Sequence, residues 1–283
     1  MRDILINQSL IKDLFKYKKE ELCGLVFNNK WIYKQFGGGS KANNLGHYFE
    51  YLCTGALAKG ETIPPKPDLV KAGGLSAPFE LARKQSVYYK EIIHKYGITD
   101  IKAGEKVIAE EQWIGTLDIS ARWDNVFLNE GSDNSQINKS IIKDPNNKEN
   151  RVIIDLKYSG LLDDKWSDFG WDTEWLPKKE GTMLQATHYT FLYWKKYGYV
   201  PPFFFFVFDS SKVNRCKIIY IPITLDKLIN HEKLVNGAKK YLDKQLEKGF
   251  KAIPKYEECL NCPYNKWCTE KQEVPPIITV EPN

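Results

Sequence analysis

The sequence predicts an α/β or α+β sheet domain, and three observations carry that expectation. A stretch over residues 106–127 alternates apolar and polar positions around Leu117, Ile119 and Ala121, the period of strands with one buried face. The runs Val152-Ile153-Ile154 and Phe203-Phe204-Phe205-Phe206-Val207-Phe208 are continuously apolar, as strands buried on both faces are. Segments of helical spacing separate and flank them. The order is therefore helix, strand, strand, strand, helix, strand, with further helices at both ends, which excludes a repeat protein and an all-β barrel.

Each element has its own signal. Residues 9–22 read as a helix, with Ser9 as its cap and Leu10, Leu14 and Phe15 on one face. An aromatic stretch through Trp31, Tyr33 and Phe36 runs to Gly37-Gly38-Gly39, a flexible turn without the residue order of a phosphate-cradling Walker loop. Helices follow at 43–58 and 78–95, broken apart by Pro64, Pro65 and Pro67. Residues 106–113 and 115–127 pair as a hairpin, and the polar residues 131–150 form a solvated loop. The strand 151–157 leads through a Trp-rich connection to a helix at 181–196, then to strands at 203–208 and 217–223. A long amphipathic helix over 224–248 starts at the cap Thr224 and stops at Gly249, before a cysteine-bearing tail.

Composition narrows the function only slightly. Of 283 residues, 42% are hydrophobic and 27% charged, an ordinary globular balance that excludes wholesale disorder. The 41 basic and 36 acidic residues leave a formal charge of +5, which permits a polyanionic partner without demanding one. The opening Met1-Arg2-Asp3 has no signal-like apolar run after it, and charge recurs too often for a membrane span. We expect an intracellular, cytoplasmic chain with no membrane partner. In a reducing compartment its six cysteines serve as thiols or metal ligands.

Charges that interrupt buried-looking strands are the chemical signal. Asp118 ends Gly115-Thr-Leu-Asp118, and Asp155 and Lys157 flank Leu156 after an apolar run. Residues two apart on a strand share a face, so Asp155 and Lys157 project together. Buried charges must be paired, solvated in a cleft or bound to metal. Converging carboxylates suit a hard cation such as Mg²⁺ or Mn²⁺, and a neighbouring lysine can orient water and offset negative charge. Asp163-Asp164-Lys165 also matches Asp-x-Lys but lies in a polar loop with no apolar strand before it, where an ion pair suffices.

These residues, together with Gln185-x-x-x-Tyr189 on one helix face, resemble the PD-(D/E)XK nuclease superfamily, RecB-like exonuclease branch, over roughly residues 43–223. The resemblance implies a restriction-endonuclease-like central mixed sheet flanked by helices. It implies a metal site at Glu50, Asp118, Asp155 and the Leu156 backbone carbonyl, with Lys157, Gln185 and Tyr189 completing the catalytic set. Glu50, four residues after Gly46, stands where the branch usually has His, and His47 is a second candidate. The implied activity is DNA hydrolysis, on single strands or ends, in phage or mobile-element DNA processing, recombination or repair. With no helicase motif in this chain, unwinding would need a helicase or recombination partner. A non-catalytic nucleic-acid-binding module on the same fold is the alternative reading.

Cys259-x₂-Cys262-x₅-Cys268 can place several thiolates on one centre. With Cys23 upstream, the set resembles that of iron–sulfur RecB-like nucleases of the AddB and CRISPR-adaptation types, which implies a [4Fe–4S] cluster; Zn²⁺ would use the same four residues. Gly24 follows Cys23 where that family commonly has Pro. Cys53 and Cys216 read as packing residues. The expected divisions are an N-terminal helical segment over 1–42, a nuclease core over 43–223, and a C-terminal helix with cysteine tail over 224–283.

Overall fold

The structure is a computed structural model that describes residues 4–34, 41–57, 62–126, 141–167, 170–272 and 274. The expected turn at Gly37-Gly38-Gly39 and residues 131–140 of the expected loop lie outside them. The chain divides into two compact units, one of Met1–Gln8 and Gly39–Lys233, the other of Ser9–Gly38 and Leu234–Asn283.

The first unit is built on five strands: β1 (Thr99–Ala109), β2 (Trp113–Arg122), β3 (Arg151–Ser159), β4 (Phe203–Asp209) and β5 (Cys216–Ile221). They lie in the order β1-β2-β3-β4-β5, antiparallel throughout except for the parallel pair β3 and β4. A parallel pair needs a crossover, and here it carries α5 (Glu180–Tyr197). The mixed sheet expected from the sequence is therefore present, flanked by α3 (Lys41–Thr54), α4 (Ala77–Lys95) and α5.

Strand alternation sorts the two faces of the sheet. Val152, Ile154 and Leu156 of β3 join Ile119, Ala121, Phe204, Phe206 and Phe208 in one core with Phe49 of α3 and Phe79 and Tyr89 of α4. The Phe49 ring stacks on Tyr158 at 4.7 Å and also meets Phe208. Burying each such ring stabilises the fold by roughly 1.5–3 kcal/mol. The odd-numbered residues Ile153, Asp155 and Lys157 are left for the opposite face, where Ser120 of β2 reaches Tyr193 of α5 at 3.2 Å.

Several elements differ from expectation for physical reasons. The first helix, α1 (Gln8–Lys18), has Ser9 inside it rather than at its cap. The aromatic stretch after Cys23 contains a further helix, α2 (Gly24–Trp31), whose Phe27 and Trp31 are buried. β1 begins seven residues before the expected start, because its first half is an exposed sheet edge with no apolar alternation to read. The segment 141–150 is not wholly solvated: Asn147 is fully buried, its amide donating to the Arg151 carbonyl at 2.8 Å and accepting from the Arg151 N–H at 2.8 Å. That bracket fixes the entry to β3.

The second unit holds α1, α2, most of α6 (Leu225–Lys248) and α7 (Tyr256–Leu260). Thr224 Oγ1 accepts from the Lys227 N–H at 3.4 Å, and Gly249 ends α6 with φ +84°, as the sequence predicts. Phe27 stacks on Phe250 at 4.6 Å, and the Lys251 N–H donates to the Tyr17 hydroxyl at 3.0 Å. A Cβ on Gly24 would overlap the Lys251 carbonyl oxygen, so the residue after Cys23 must be glycine for this approach. That accounts for the departure from Pro.

Candidate active site

The site forms where β2 and β3 part. Their pairing runs from Arg122↔Arg151 to Ile119↔Ile154 and stops one residue short of Asp118. There the Asp118 carboxylate takes over the ladder's role, with its Oδ2 accepting from the Leu156 N–H at 2.8 Å. Asp155 is 1% exposed, and its Oδ2 meets the Lys157 ammonium but has no further hydrogen-bond partner among the described residues. Its Oδ1 accepts from Gln185 Nε2 at 2.8 Å. Tyr189, one turn beyond on α5, is buried and lies in the field of both aspartates.

Gly115 is what lets α5 come so close. A Cβ there would stand 2.6 Å from Leu192 Cδ1, closer than real contacts permit, and 3.1 Å from Tyr189 Cε1, a tight contact. The glycine three residues before Asp118 thus has a packing role: it admits the helix that carries Gln185 and Tyr189.

The electrostatics are those of a crowded, desolvated acid cluster. Burial drives Asp118 well above the usual carboxylate range, with Asp155 adding to the rise and Lys157 opposing it. Asp155 is also raised by burial, against the pull of Lys157. Glu50, from α3, is pushed up to about 7 by burial, with Lys157 opposing and Asp155 adding. For Lys157, burial alone would lower the pKa, but Asp155 and Asp118 outweigh it and raise it. One ammonium facing three carboxylates leaves a charge deficit. Protons or a divalent cation would relieve it.

The structure thus brings together Glu50, Asp118, Asp155, Lys157, Gln185 and Tyr189, with the Leu156 backbone at the parting of the strands. His47 is half-buried one turn before Glu50 on α3 and is not among the charged neighbours acting on Glu50, Asp118 or Asp155. Among the described residues, no three His, Cys, Asp or Glu side chains stand ready at metal-bonding distance around one point. Asp163 instead pairs with Arg215 and with Lys217 at 2.9 Å, and Asp164 accepts from the Trp166 N–H at 2.7 Å. Those acids hold a loop.

Sequence reading missed a buried histidine pair beside this site. His188, on α5 between Gln185 and Tyr189, has its Nδ1 3.1 Å from His231 Nε2 and its Nε2 3.3 Å from the Ile114 carbonyl. A carbonyl only accepts, so His188 carries its proton on Nε2 and His231 must donate. Burial pushes His188 down to about 3, with His231 adding, and pushes His231 down to about 4. Both stay neutral in the fold while the unfolded chain, at the ordinary value of 6.5, takes up protons first. The stabilisation is therefore complete above pH 6.5 and fades as pH falls towards 4. By pH 5 the loss should be roughly 2 kcal/mol per imidazole. Thermal unfolding of His231→Gln, which keeps an Nε2 donor, should show a smaller drop between pH 7 and 5 than the unsubstituted protein.

In the second unit, Cys23, Cys259, Cys262 and Cys268 line one concavity and form no disulfide. Successive turns wind the last three together, with the Cys262 N–H donating to the Cys259 carbonyl at 3.2 Å and the Cys268 N–H to Asn265 at 3.4 Å. Burial raises the Cys262 thiol, the Tyr264 N–H lowers it, and the other three cysteines raise it further. The four thiols therefore feel one another. Cys53 and Cys216 belong to the first unit, packed at the margin of the sheet core, and burial pushes Cys216 up to about 12.

Fold and site together define a mixed-sheet α/β protein with an acidic cluster, a lysine and a supporting Gln–Tyr helix face at a strand fork. No family model matches the chain, and no curated protein matches it. Among solved structures, a protein from Eubacterium rectale described as a candidate exonuclease is similar in fold, with TM-score 0.58 and 18% identity over 98% of this chain and 91% of that one. At that identity the likeness shows the shared fold. No helix of the described residues is long and apolar enough to cross a membrane.

Proposed function

We propose that this chain is a metal-dependent nuclease that hydrolyses DNA phosphodiester bonds, of the PD-(D/E)XK type and RecB-like branch. The observation that carries the reading is the convergence of Glu50, Asp118 and Asp155 on Lys157, with Asp155 held by Gln185 from the crossover helix. The donor set fits a hard divalent cation: three desolvated carboxylates share one ammonium, and Asp155 Oδ2 has no other hydrogen-bond partner among the described residues. Glu50, Asp118, Asp155 and the Leu156 carbonyl would hold one or two Mg²⁺ or Mn²⁺ ions. When bound, such ions neutralise phosphate charge and acidify a nearby water.

The chain's own groups do the positioning. Lys157, 28% exposed at its side chain, reaches from the buried cluster to solvent, where it orients the attacking water and offsets charge developing on phosphorus-bound oxygen. Gln185 fixes the Asp155 carboxylate through Oδ1, and Tyr189 stands one helical turn beyond it, in the field of both aspartates. Substrates would be DNA ends or single strands in recombination, repair or mobile-element processing, with a helicase supplying open strands where needed.

The test is incubation with end-labelled single- and double-stranded DNA, in Mn²⁺ or EDTA, beside Asp155→Ala. We expect cleavage in Mn²⁺, none in EDTA, and at least a thousandfold loss in the variant; cleavage surviving both treatments would end the reading. The four thiols of the second unit fit a [4Fe–4S] cluster or Zn²⁺ by donor chemistry, and we propose the cluster. Protein purified without oxygen should be brown and contain iron, and Cys262→Ser should bleach it. Colourless protein with stoichiometric zinc would assign Zn²⁺ instead.

A further inference from the structure

The crossover between β3 and α5 presents two indoles outward. Trp166 is 78% exposed, the most exposed large apolar side chain among the described residues. Its ring centroid lies 5.5 Å from that of half-buried Trp175, with the planes inclined at 43°. A lysine ammonium lies over each ring: Lys165 Nζ is 5.0 Å from the Trp166 centroid and Lys178 Nζ 3.7 Å from that of Trp175. Leaving an indole in water forfeits the stabilisation its burial would bring, so its rigid display calls for an occupant.

The display is rigid. Asp164 Oδ1 accepts from the N–H groups of Trp166 at 2.7 Å and Ser167 at 3.0 Å. Asp172 Oδ1 does the same for Glu174 at 3.1 Å and Trp175 at 3.3 Å. Lys179 ties the two halves by donating to the Ser167 carbonyl at 2.7 Å and to that of Gly170. Of the acids nearby, Asp163 is neutralised by Arg215 and Lys217, while Asp164 and Asp172 are engaged by backbone N–H groups. Glu174 is exposed, and its side chain makes no hydrogen bond or ion pair among the described residues.

The segment also belongs to the sheet face of the acid cluster. Trp171 packs on Phe205 of β4 at 5.2 Å, and Lys157 Nζ lies 5.8 Å from the same Phe205 ring. Lys179 immediately precedes α5, six residues before Gln185, a rise of about 9 Å along a helix.

We propose that Trp166, backed by Trp175, forms a stacking platform for the unpaired bases of single-stranded DNA, with Lys165 and Lys178 supplying positive charge to the passing phosphates. The proposal rests on the nuclease reading and names the strand form that the site receives. Aromatic faces accept any base whose own face is free, which a paired base inside a duplex cannot offer. The platform therefore selects single strands without selecting sequence.

The experiment measures binding in EDTA, by fluorescence anisotropy, to a labelled mixed-sequence DNA of about 20 nucleotides, single-stranded, duplexed, or single-stranded with abasic sites. Trp166→Ala should weaken single-strand binding about tenfold, and Trp166→Phe should restore most of it. Abasic DNA should bind the unsubstituted protein about as weakly as intact DNA binds Trp166→Ala. Duplex binding should be unmoved by either substitution. Equal single-strand affinity for Trp166→Ala and the unsubstituted protein would overturn the platform, as would an equal loss on duplex. Cleavage in Mn²⁺, scored separately, keeps the two readings distinct: a protein that binds single strands through Trp166 but cuts nothing refutes the hydrolase, and one that cuts while ignoring Trp166 refutes the platform.

Discussion

Replacing Asp118 by Asn should cut nuclease activity by on the order of a thousandfold or more and at the same time raise the stability of the metal-free protein. The two effects have one cause. Asp118 is desolvated beside Asp155 and Glu50, and these neighbours disfavour its charge. An amide keeps the oxygen that accepts from the Leu156 N–H and removes the repulsion. The gain should be about 1 kcal/mol or more, which for a domain of this size is a rise of roughly 2–4 °C in Tm. Activity needs the carboxylate as a cation ligand, so it falls. Differential scanning calorimetry in EDTA beside a cleavage assay in Mn²⁺ reads both. A variant that is inactive but less stable would mean that Asp118 supports the fold as a charge, against the metal reading.

Gly115→Ala should do the opposite kind of damage, harming stability and activity together. The added methyl would meet Leu192 Cδ1 at 2.6 Å and the Tyr189 ring at 3.1–3.2 Å, and both of those residues are buried. Overpacking of this kind costs about 1–3 kcal/mol. Leu192 and Tyr189 are both carried by α5, so an outward shift of that helix would relieve both contacts and carry Gln185 away from Asp155, and a displacement near 1 Å is worth about a hundredfold in rate. Gly46→Ala is the control. A Cβ at Gly46 meets nothing within 4 Å, and on helix α3 alanine should stabilise by about 1 kcal/mol. Urea unfolding of the two variants should therefore move in opposite directions. Equal tolerance at both positions would show that α5 has slack against β2.

What the sequence made legible was whatever interrupts a pattern. Asp155 and Lys157 stand out because they break an apolar run, and the fold places them together beside Asp118 and Glu50. The continuous Phe run of β4 was equally plain, since a strand buried on both faces has no polar positions. The first half of β1 was not, because an exposed edge has nothing apolar to alternate. α2 escaped because eight residues are too short to establish a helical period. The His188–His231 pair joins residues 43 apart, and the Asn147 bracket depends on a turn closing back on Arg151. Neither leaves a local trace, for their chemistry exists only after folding. The packing role of Gly115 was similarly hidden, because a glycine advertises its freedom and not the neighbour it admits.

The stack of Phe27 on Phe250 has a consequence in time. The Lys251–Tyr17 hydrogen bond spans 234 positions, so the second unit closes on residues made far apart in time. At ribosomal speeds of roughly 5–20 residues per second, the apolar faces of α1 and α2 wait on the order of ten to fifty seconds for their counterpart. Loop closure over that span adds little more entropy than over half of it; the burden is the waiting. During that interval Phe27 and its neighbours are open to wrong partners, and nascent chains stalled before Phe250 should be the ones that chaperones hold longest.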